Sequence, residues 1–170
     1  METTAAAVEP HTKKHKSWTE KMNPKMQPRI ITDMSARWQE KFGSGKMLIA
    51  TPHLVDHLIR QVPKGKLVTV NFLREKLARD FKTDYACPVT TGIYTWIIAN
   101  AAEESLKNHK RNVSPYWRVI KENGQLNPKY PGGEHHQANL LRKEGFNIKP
   151  TTNATHLKVE NYKDHLIQFD

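Results

Sequence analysis

Apolar residues recur at helical spacing over much of the chain and predict five helices. The second has the clearest start, because Thr51 can cap the first turn and Pro52 suits the first helical position. The expected caps of the first and third helices are Asp33 and either Thr69 or Asn71. The predicted helices cover residues 33–42, 52–62, a stretch beginning near residue 70, 90–105 and 134–144.

Two short extended stretches lie on either side of a turn in the second half of the chain. Tyr116–Ile120 and Gln125–Leu126 flank Asn123-Gly124, and Asn-Gly is a strong signal of a β-hairpin. Weak alternation in His156–Phe169 predicts one more strand at a sheet edge. Short helices followed by a hairpin are typical of a winged helix-turn-helix. We therefore predict an α+β fold, mostly helical, with a winged helix-turn-helix-like domain, a small β-hairpin wing and N- and C-terminal extensions.

Composition divides the chain into four parts. Residues 1–30 are basic and lack apolar periodicity, which predicts an unstructured arm with Trp18 as a candidate docking anchor. Residues 31–50 form a short helix and a linker, and residues 51–147 form the winged-helix domain. Residues 148–170 form a C-terminal extension.

The charge of the chain favours a polyanionic partner. The 170 residues carry a formal net charge of +10, and an excess of this size attracts nucleic acid or an acidic surface. No apolar run reaches the roughly 20 residues that span a bilayer, and residues 1–10 lack the basic start and apolar core of a secretory signal. The lone cysteine, Cys87, fits a reducing compartment. These features predict a cytoplasmic protein, nucleoid-associated in a bacterium, with no membrane partner.

Two motifs, in order, resemble those of a known family. The first is Val62-Pro63-Lys64-Gly65-Lys66-Leu67-Val68-Thr69; the second is Pro115-Tyr116-Trp117-Arg118-Val119-Ile120, followed by Asn123-Gly124 and Pro131-Gly132-Gly133. Over about residues 52–146 the chain resembles the DNA-binding domain of the alkylguanine-DNA alkyltransferases and their non-enzymatic relatives, the alkyltransferase-like proteins. The resemblance implies double-stranded DNA as the partner, with modified guanine as a candidate feature of that DNA.

The chain departs from this family at the residues that perform alkyl transfer. The reaction needs a thiolate nucleophile, and Tyr116 stands at the position of the family's cysteine. Trp117 replaces the histidine that relays the proton, and Ala138 stands at about the position of the supporting glutamate. The resemblance therefore implies a protein without alkyltransferase activity and without a cofactor.

The residues that turn a nucleotide out of the duplex are also replaced. Val70 stands in place of the family's tyrosine, and the arginine that fills the space of the flipped base is expected near Pro88 or Val89. Arg118 and the glycines of the frame are kept, and the resemblance gives Arg118 a role in supporting the site.

The resemblance and the basic residues together give three sets of candidate contacts with DNA. In this interpretation the helix over about residues 90–100 reads the DNA. Its exposed face is predicted to carry Thr95 together with Thr90, Thr91 and Tyr94. The DNA-binding set is Lys64, Lys66, Thr69, Thr90, Thr91, Tyr94, Lys107, Lys110 and Arg111. The pocket set is Tyr116, Trp117 and Arg118, although strand alternation equally allows one of the two aromatic residues to be core.

Two other chemistries compete with this interpretation. Cys87 could act as a relocated nucleophile, although no histidine or lysine is adjacent to it in the sequence. His53 and His57 lie four residues apart on one helix face near Asp56 and could share a metal. A buried structural cysteine and solvated histidines explain both features more simply, so we predict no metal site and no catalytic residue.

The first functional hypothesis is a non-enzymatic DNA-binding protein of the alkyltransferase-like type, acting in DNA repair or DNA-associated regulation. The second is a divergent methylated-DNA alkyltransferase that uses Cys87. The third is an adaptor that has lost DNA binding and contacts a protein partner through its terminal extensions, with Trp18 or Trp38 as anchors.

Overall fold

The computed structural model describes residues 15–22 and 25–169, and within them it has an α+β fold. The helices are α1 (Trp18–Lys21), α2 (Ala36–Phe42), α3 (Pro52–Arg60), α4 (Val70–Asp80), α5 (Pro88–Lys107) and α6 (Gly133–Lys143). The strands are β1 (Arg29–Ile31), β2 (Met47–Ile49), β3 (Val68–Thr69), β4 (Tyr85–Ala86), β5 (Val119–Ile120), β6 (Ile148–Pro150) and β7 (Leu157–Val159). Tyr116–Arg118 and Tyr162–His165 form 3-10 turns.

Side-chain caps define the starts of the helices that build the core. The Thr51 hydroxyl accepts a hydrogen bond from the Leu54 amide at 3.3 Å, and the Thr69 hydroxyl accepts one from the Phe72 amide at 3.2 Å. Both predicted caps are therefore confirmed. The predicted cap of α2 is wrong, because Ser35 rather than Asp33 accepts a hydrogen bond from the Trp38 amide.

The long helix α5 lies at the centre of the molecule. Tyr94 and Ile98 on its inner face join a core cluster with residues of α3 and α4, including Ile59 and Leu73. The cluster buries large apolar side chains, and this burial stabilises helices that their local sequences alone would not hold. Because the other helices pack against α5, they fix the position of the side chains on its outer face.

The strand pairing differs from the hairpin that Asn123-Gly124 predicted. β5 pairs in parallel with β3, with Val68 opposite Val119, and not with Gln125–Leu126. A tight turn remains, closed by a 2.9 Å hydrogen bond from the Lys121 amide to the Gln125 carbonyl. Gln125 instead bridges to the C-terminal strand β7 at Lys158. The Asn-Gly pair therefore predicted the turn correctly, but it did not predict which strands pair with the segments on either side.

The residues after α6 pack into the core. β6 and β7 form an antiparallel hairpin with Ile148 opposite Val159, which confirms that the His156–Phe169 region contributes a strand. Val159 is fully buried with Leu67 and Leu126. Leu67 also pairs with the segment around Leu166, since its amide donates to the His165 carbonyl and its carbonyl accepts from the Ile167 amide.

The N-terminal region contains more structure than its composition predicted. Residues 1–14 and 23–24 of the predicted basic arm lie outside the described residues. Within the predicted arm, α1 packs against α5, and β1 pairs antiparallel with β2. β2 in turn pairs in parallel with β4 to complete a three-stranded sheet. In the described ranges no helix is both long and apolar enough to cross a bilayer.

Candidate nucleic-acid interface

Tyr116 is a core residue. Its side chain is fully buried, and its ring packs edge-on against Trp117 and Tyr130 at centroid distances of 5.5 and 5.3 Å. Its hydroxyl donates to the Glu103 carboxylate at 2.8 Å, and His136 contacts the same oxygen at 3.0 Å. Burial and the hydrogen bond to Glu103 raise the pKa of Tyr116 well above its usual value. The prediction that Tyr116 lines an accessible pocket is therefore wrong, because no base can reach its ring.

Trp117 and Arg118 share one carboxylate. The indole nitrogen of Trp117 donates to Glu144 at 2.8 Å, and the Arg118 guanidinium pairs with Glu144 at 2.8 Å. Arg118 also donates to the carbonyl of Val62, at the start of the first motif. These contacts tie the two motifs to the end of α6, which agrees with the supporting role that the resemblance implies for Arg118.

The prediction that the second motif has lost its supporting carboxylate is wrong. Ala138, which was expected to replace that glutamate, is fully buried against Leu126 and Leu141. Glu144 occupies that role instead. Its burial alone would raise its pKa, but hydrogen bonds from Arg118 and Trp117 and the charge of Arg118 outweigh burial, and the pKa is lowered. Glu144 is therefore held as a carboxylate at neutral pH.

The face of α5 that was predicted to read DNA is turned inward. Thr91, Tyr94 and Thr95 are buried, so the prediction that they are exposed is wrong. The Thr91 hydroxyl donates to the Cys87 carbonyl at 2.8 Å within the first turn of the helix. Thr90 is half-buried, and its hydroxyl donates to the same carbonyl. The Thr69 hydroxyl caps α4. The hydroxyl groups at the start of α5 therefore form hydrogen bonds with the backbone of their own helix.

The outer face of α5 is apolar. Val89, Ile93 and Trp96 follow each other at i, i+4 and i+7, and their exposed fractions are 46, 47 and 39%. Three large apolar side chains on one exposed stripe require an explanation, because isolated ones are common but contiguous ones usually mark a binding surface.

A groove runs beside this stripe. Its volume is about 500 Å³, and its lining includes Lys121 and Lys129 beside the three residues of the stripe. It lies where β3 and β5 end, since Val70 directly follows β3 and Lys121 directly follows β5. The lining residues are Val70, Val89, Gly92, Ile93, Thr95, Trp96, Lys121, Asn127, Pro128 and Lys129. We call this the α5 groove; it combines an apolar and aromatic floor with two cations.

The predicted phosphate contacts do not converge on the α5 groove. Lys64 and Lys66 are exposed on the turn before β3, at the opposite end of the strand pair from Lys121. Lys107 ends α5, which places it about 27 Å along the helix axis from Val89 at a rise of about 1.5 Å per residue. Lys110 and Arg111, also exposed, follow beyond that end.

The two lysines of the α5 groove were missed in the sequence. Each is adjacent to a recognised motif, Lys121 after Ile120 and Lys129 before the Tyr130-Pro131-Gly132 turn. The signal that would have found Lys121 is the parallel pairing of β3 and β5, which brings the residues after both strands to one edge. That pairing joins segments about 50 residues apart and leaves no local pattern.

Cys87 and the histidines of α3 lie outside the α5 groove. Cys87 is 3% exposed and packs with Met34 and Met47. Asp56, between His53 and His57, pairs with Arg60 at 2.8 Å and accepts a hydrogen bond from the Ser114 hydroxyl. Across residues 15–22 and 25–169, no group of three or more histidine, cysteine, aspartate or glutamate side chains is arranged to hold a metal ion.

Comparison with known proteins finds similarity only among solved structures. No family model matches the chain, and no curated protein matches it. Two structures are similar: S. pombe Atl1 in complex with damaged DNA containing O6-carboxymethylguanine, with a TM-score of 0.47, and S. pombe ATL in complex with DNA, with a TM-score of 0.49. Each is 20% identical, and each alignment covers 69% of this chain and 94% of the other.

Proposed function

We propose that this chain is a non-enzymatic double-stranded DNA-binding protein that receives a base in the α5 groove. The observation that carries the proposal is the pairing of an exposed apolar stripe with two lysines in one groove. A nucleobase offers a flat face that stacks on aromatic and apolar side chains, and the backbone phosphates that flank it attract cations. The net charge of +10 supplies general attraction to the duplex.

The groove favours an apolar addition to the base. Val89 and Ile93 line it at the start of α5, and neither can donate a hydrogen bond from its side chain to a base edge. An alkyl group on guanine would make apolar contact with these side chains, whereas an unmodified polar edge placed against them would lose water and gain no hydrogen bond from either one. We therefore propose modified guanine as the preferred base and DNA repair as the setting.

No side chain of the α5 groove is suited to accept an alkyl group. The lining residues include no cysteine and no histidine, and the buried Cys87 packs with Met34 and Met47 instead. We expect Cys87 to stay unmodified when the native protein is incubated with duplex carrying alkylated guanine, as measured by intact-protein mass spectrometry. Iodoacetamide should label Cys87 only after denaturation. A mass increase equal to one alkyl group on the native chain would instead establish the enzyme hypothesis.

The proposal is tested by fluorescence anisotropy with two duplexes that differ by one alkylated guanine, over a salt series. We expect binding to both duplexes to weaken as salt rises, with the modified duplex bound more tightly at every salt concentration. Equal affinity would leave a general DNA-binding protein and remove the role of modified guanine. Absence of binding at low salt would remove DNA binding and favour a protein partner for the exposed Val89, Ile93 and Trp96 stripe.

A further inference from the structure

We infer that the segment Ser17–Met22, which we call the strap, fixes the ring of Trp96 where it lines the α5 groove; the ligand side of this inference rests on the proposed function. The strap contains α1 and packs against α5. Trp96 both lines the groove and contacts the strap.

The strap is held in place by α5. A helix of four residues is too short to persist alone, because its first amides have no partner within the helix. Ser17 and Glu20 satisfy two of these amides through a reciprocal capping box, at 2.7 and 3.1 Å. The amides of Trp18 and Thr19 donate to the Glu104 carboxylate of α5 at 3.1 and 2.9 Å. Glu104 therefore completes a helix that lies about 85 residues earlier in the chain.

Glu104 is suited to hold the strap at neutral pH. The Thr19 hydroxyl adds a third hydrogen bond to the same carboxylate, at 2.7 Å. This bond lowers the pKa of Glu104, so the group stays charged. Hydrogen bonds to a charged acceptor are stronger than those between neutral groups. The strap is thus attached through a defined anchor and not through apolar contact alone.

The anchor places Trp18 directly against Trp96. The two rings meet edge to face, with centroids 4.7 Å apart and planes at 85°. The Lys21 ammonium also lies over the Trp18 ring, 3.7 Å from its centroid. Trp18 is therefore held by two contacts, and it restricts the rotation of the Trp96 ring, which is 39% exposed. Trp18 acts on the groove through Trp96, which makes it a positioning residue.

A double-mutant cycle measures this positioning. Trp18→Ala should weaken binding of the alkylated duplex by about three- to tenfold, the range expected for one aromatic pair. The dependence of affinity on salt should not change, because every phosphate contact is retained. Trp18→Phe should retain most of the affinity, since a phenyl ring can keep the edge contact. In a Trp96→Ala background, Trp18→Ala should have no further effect.

A second measurement reads the Trp96 ring without DNA. Labelling with 5-fluorotryptophan gives one 19F signal for each of the four tryptophans, and the Trp96 signal is assigned by Trp96→Phe. Trp18→Ala and Glu104→Ala should both shift and sharpen this signal as the ring gains freedom. Circular dichroism and thermal unfolding confirm that each variant is folded.

The outcomes separate the strap from the proposed function. An unchanged Trp96 signal in Trp18→Ala overturns the inference, and so does unchanged or tighter DNA binding, which would indicate that the strap is neutral or inhibitory. If the unaltered protein binds neither duplex, the DNA function fails, while the Trp96 signal still decides whether the strap fixes the ring.

Discussion

Replacing both Lys121 and Lys129 with glutamate is expected to weaken duplex binding more than any other double charge reversal on the surface. Both side chains line the α5 groove beside the apolar stripe. Removing one phosphate-binding cation should reduce the slope of log K against log salt by about 0.9, which corresponds to about tenfold in affinity near 0.1 M salt. We therefore expect a slope lower by about 2 and an affinity weaker by nearly 100-fold, measured by anisotropy across a salt series.

The matched control is the pair Lys64→Glu and Lys66→Glu, which changes the net charge by the same amount. Sequence motifs predicted that this pair binds phosphate, but the structure places it at the other end of the β3–β5 pair. General attraction to the duplex falls equally in both variants, so the difference between them isolates the groove. Equal reductions in affinity, or a larger one for Lys64 and Lys66, would move the interface away from the α5 groove.

Glu144→Ala should lower the free energy of unfolding by about 3–5 kcal/mol. Glu144 and Arg118 are 9 and 14% exposed, and the substitution leaves the Arg118 guanidinium and the Trp117 indole without their shared acceptor. Glu160→Ala is the matched control, because Glu160 pairs with Lys149 at 2.9 Å while the two side chains are 41 and 47% exposed. An exposed pair is worth at most about 1 kcal/mol. Urea unfolding of both variants measures the difference; similar reductions in stability would show that Glu144 does not hold the two motifs together.

The same carboxylate predicts a dependence of stability on pH. The pKa of Glu144 is lower in the folded than in the unfolded protein. Burial raises this pKa, but the hydrogen bonds from Arg118 and Trp117 and the positive charge of Arg118 outweigh it. Its contribution is therefore complete above the unfolded pKa of about 4.3 and is lost as the pH falls through the folded pKa. We expect the melting temperature to change little because of Glu144 between pH 7 and about pH 5, and to fall below that. In Glu144→Gln the acid-dependent part should be smaller.

The helices were predictable because their signals are local. Thr51-Pro52 and the cap at Thr69 each specify a start within four residues, and the structure keeps both. The orientation of α5 was not predictable in this way. It carries apolar side chains on two faces, with Ile98 buried and Ile93 exposed, so periodicity could not separate the inner face from the outer.

The parts of the site that were missed depend on contacts between distant segments. The turn at Asn123-Gly124 was visible in the sequence, but the parallel partner of Val119 lies at Val68. Glu144 was missed because its role depends on a contact with Trp117, 27 residues away, which the sequence order of α6 does not reveal. The strap was missed because its stability depends on Glu104, which no property of residues 1–30 reveals.

The backbone around Leu67 has a consequence for synthesis of the chain. β3 is joined by β5 from residue 119 onward, and Leu67 is joined by the segment ending at Ile167. In a growing chain, β3 therefore waits about 50 residues for β5, and Leu67 waits about 100 residues for its partner segment, about 5–20 s at about 5–20 residues per second. An unpaired edge is a template for pairing with another chain. Chains truncated before His165 should accordingly aggregate more readily than chains that include Ile167, because they leave the backbone of Leu67 unpaired.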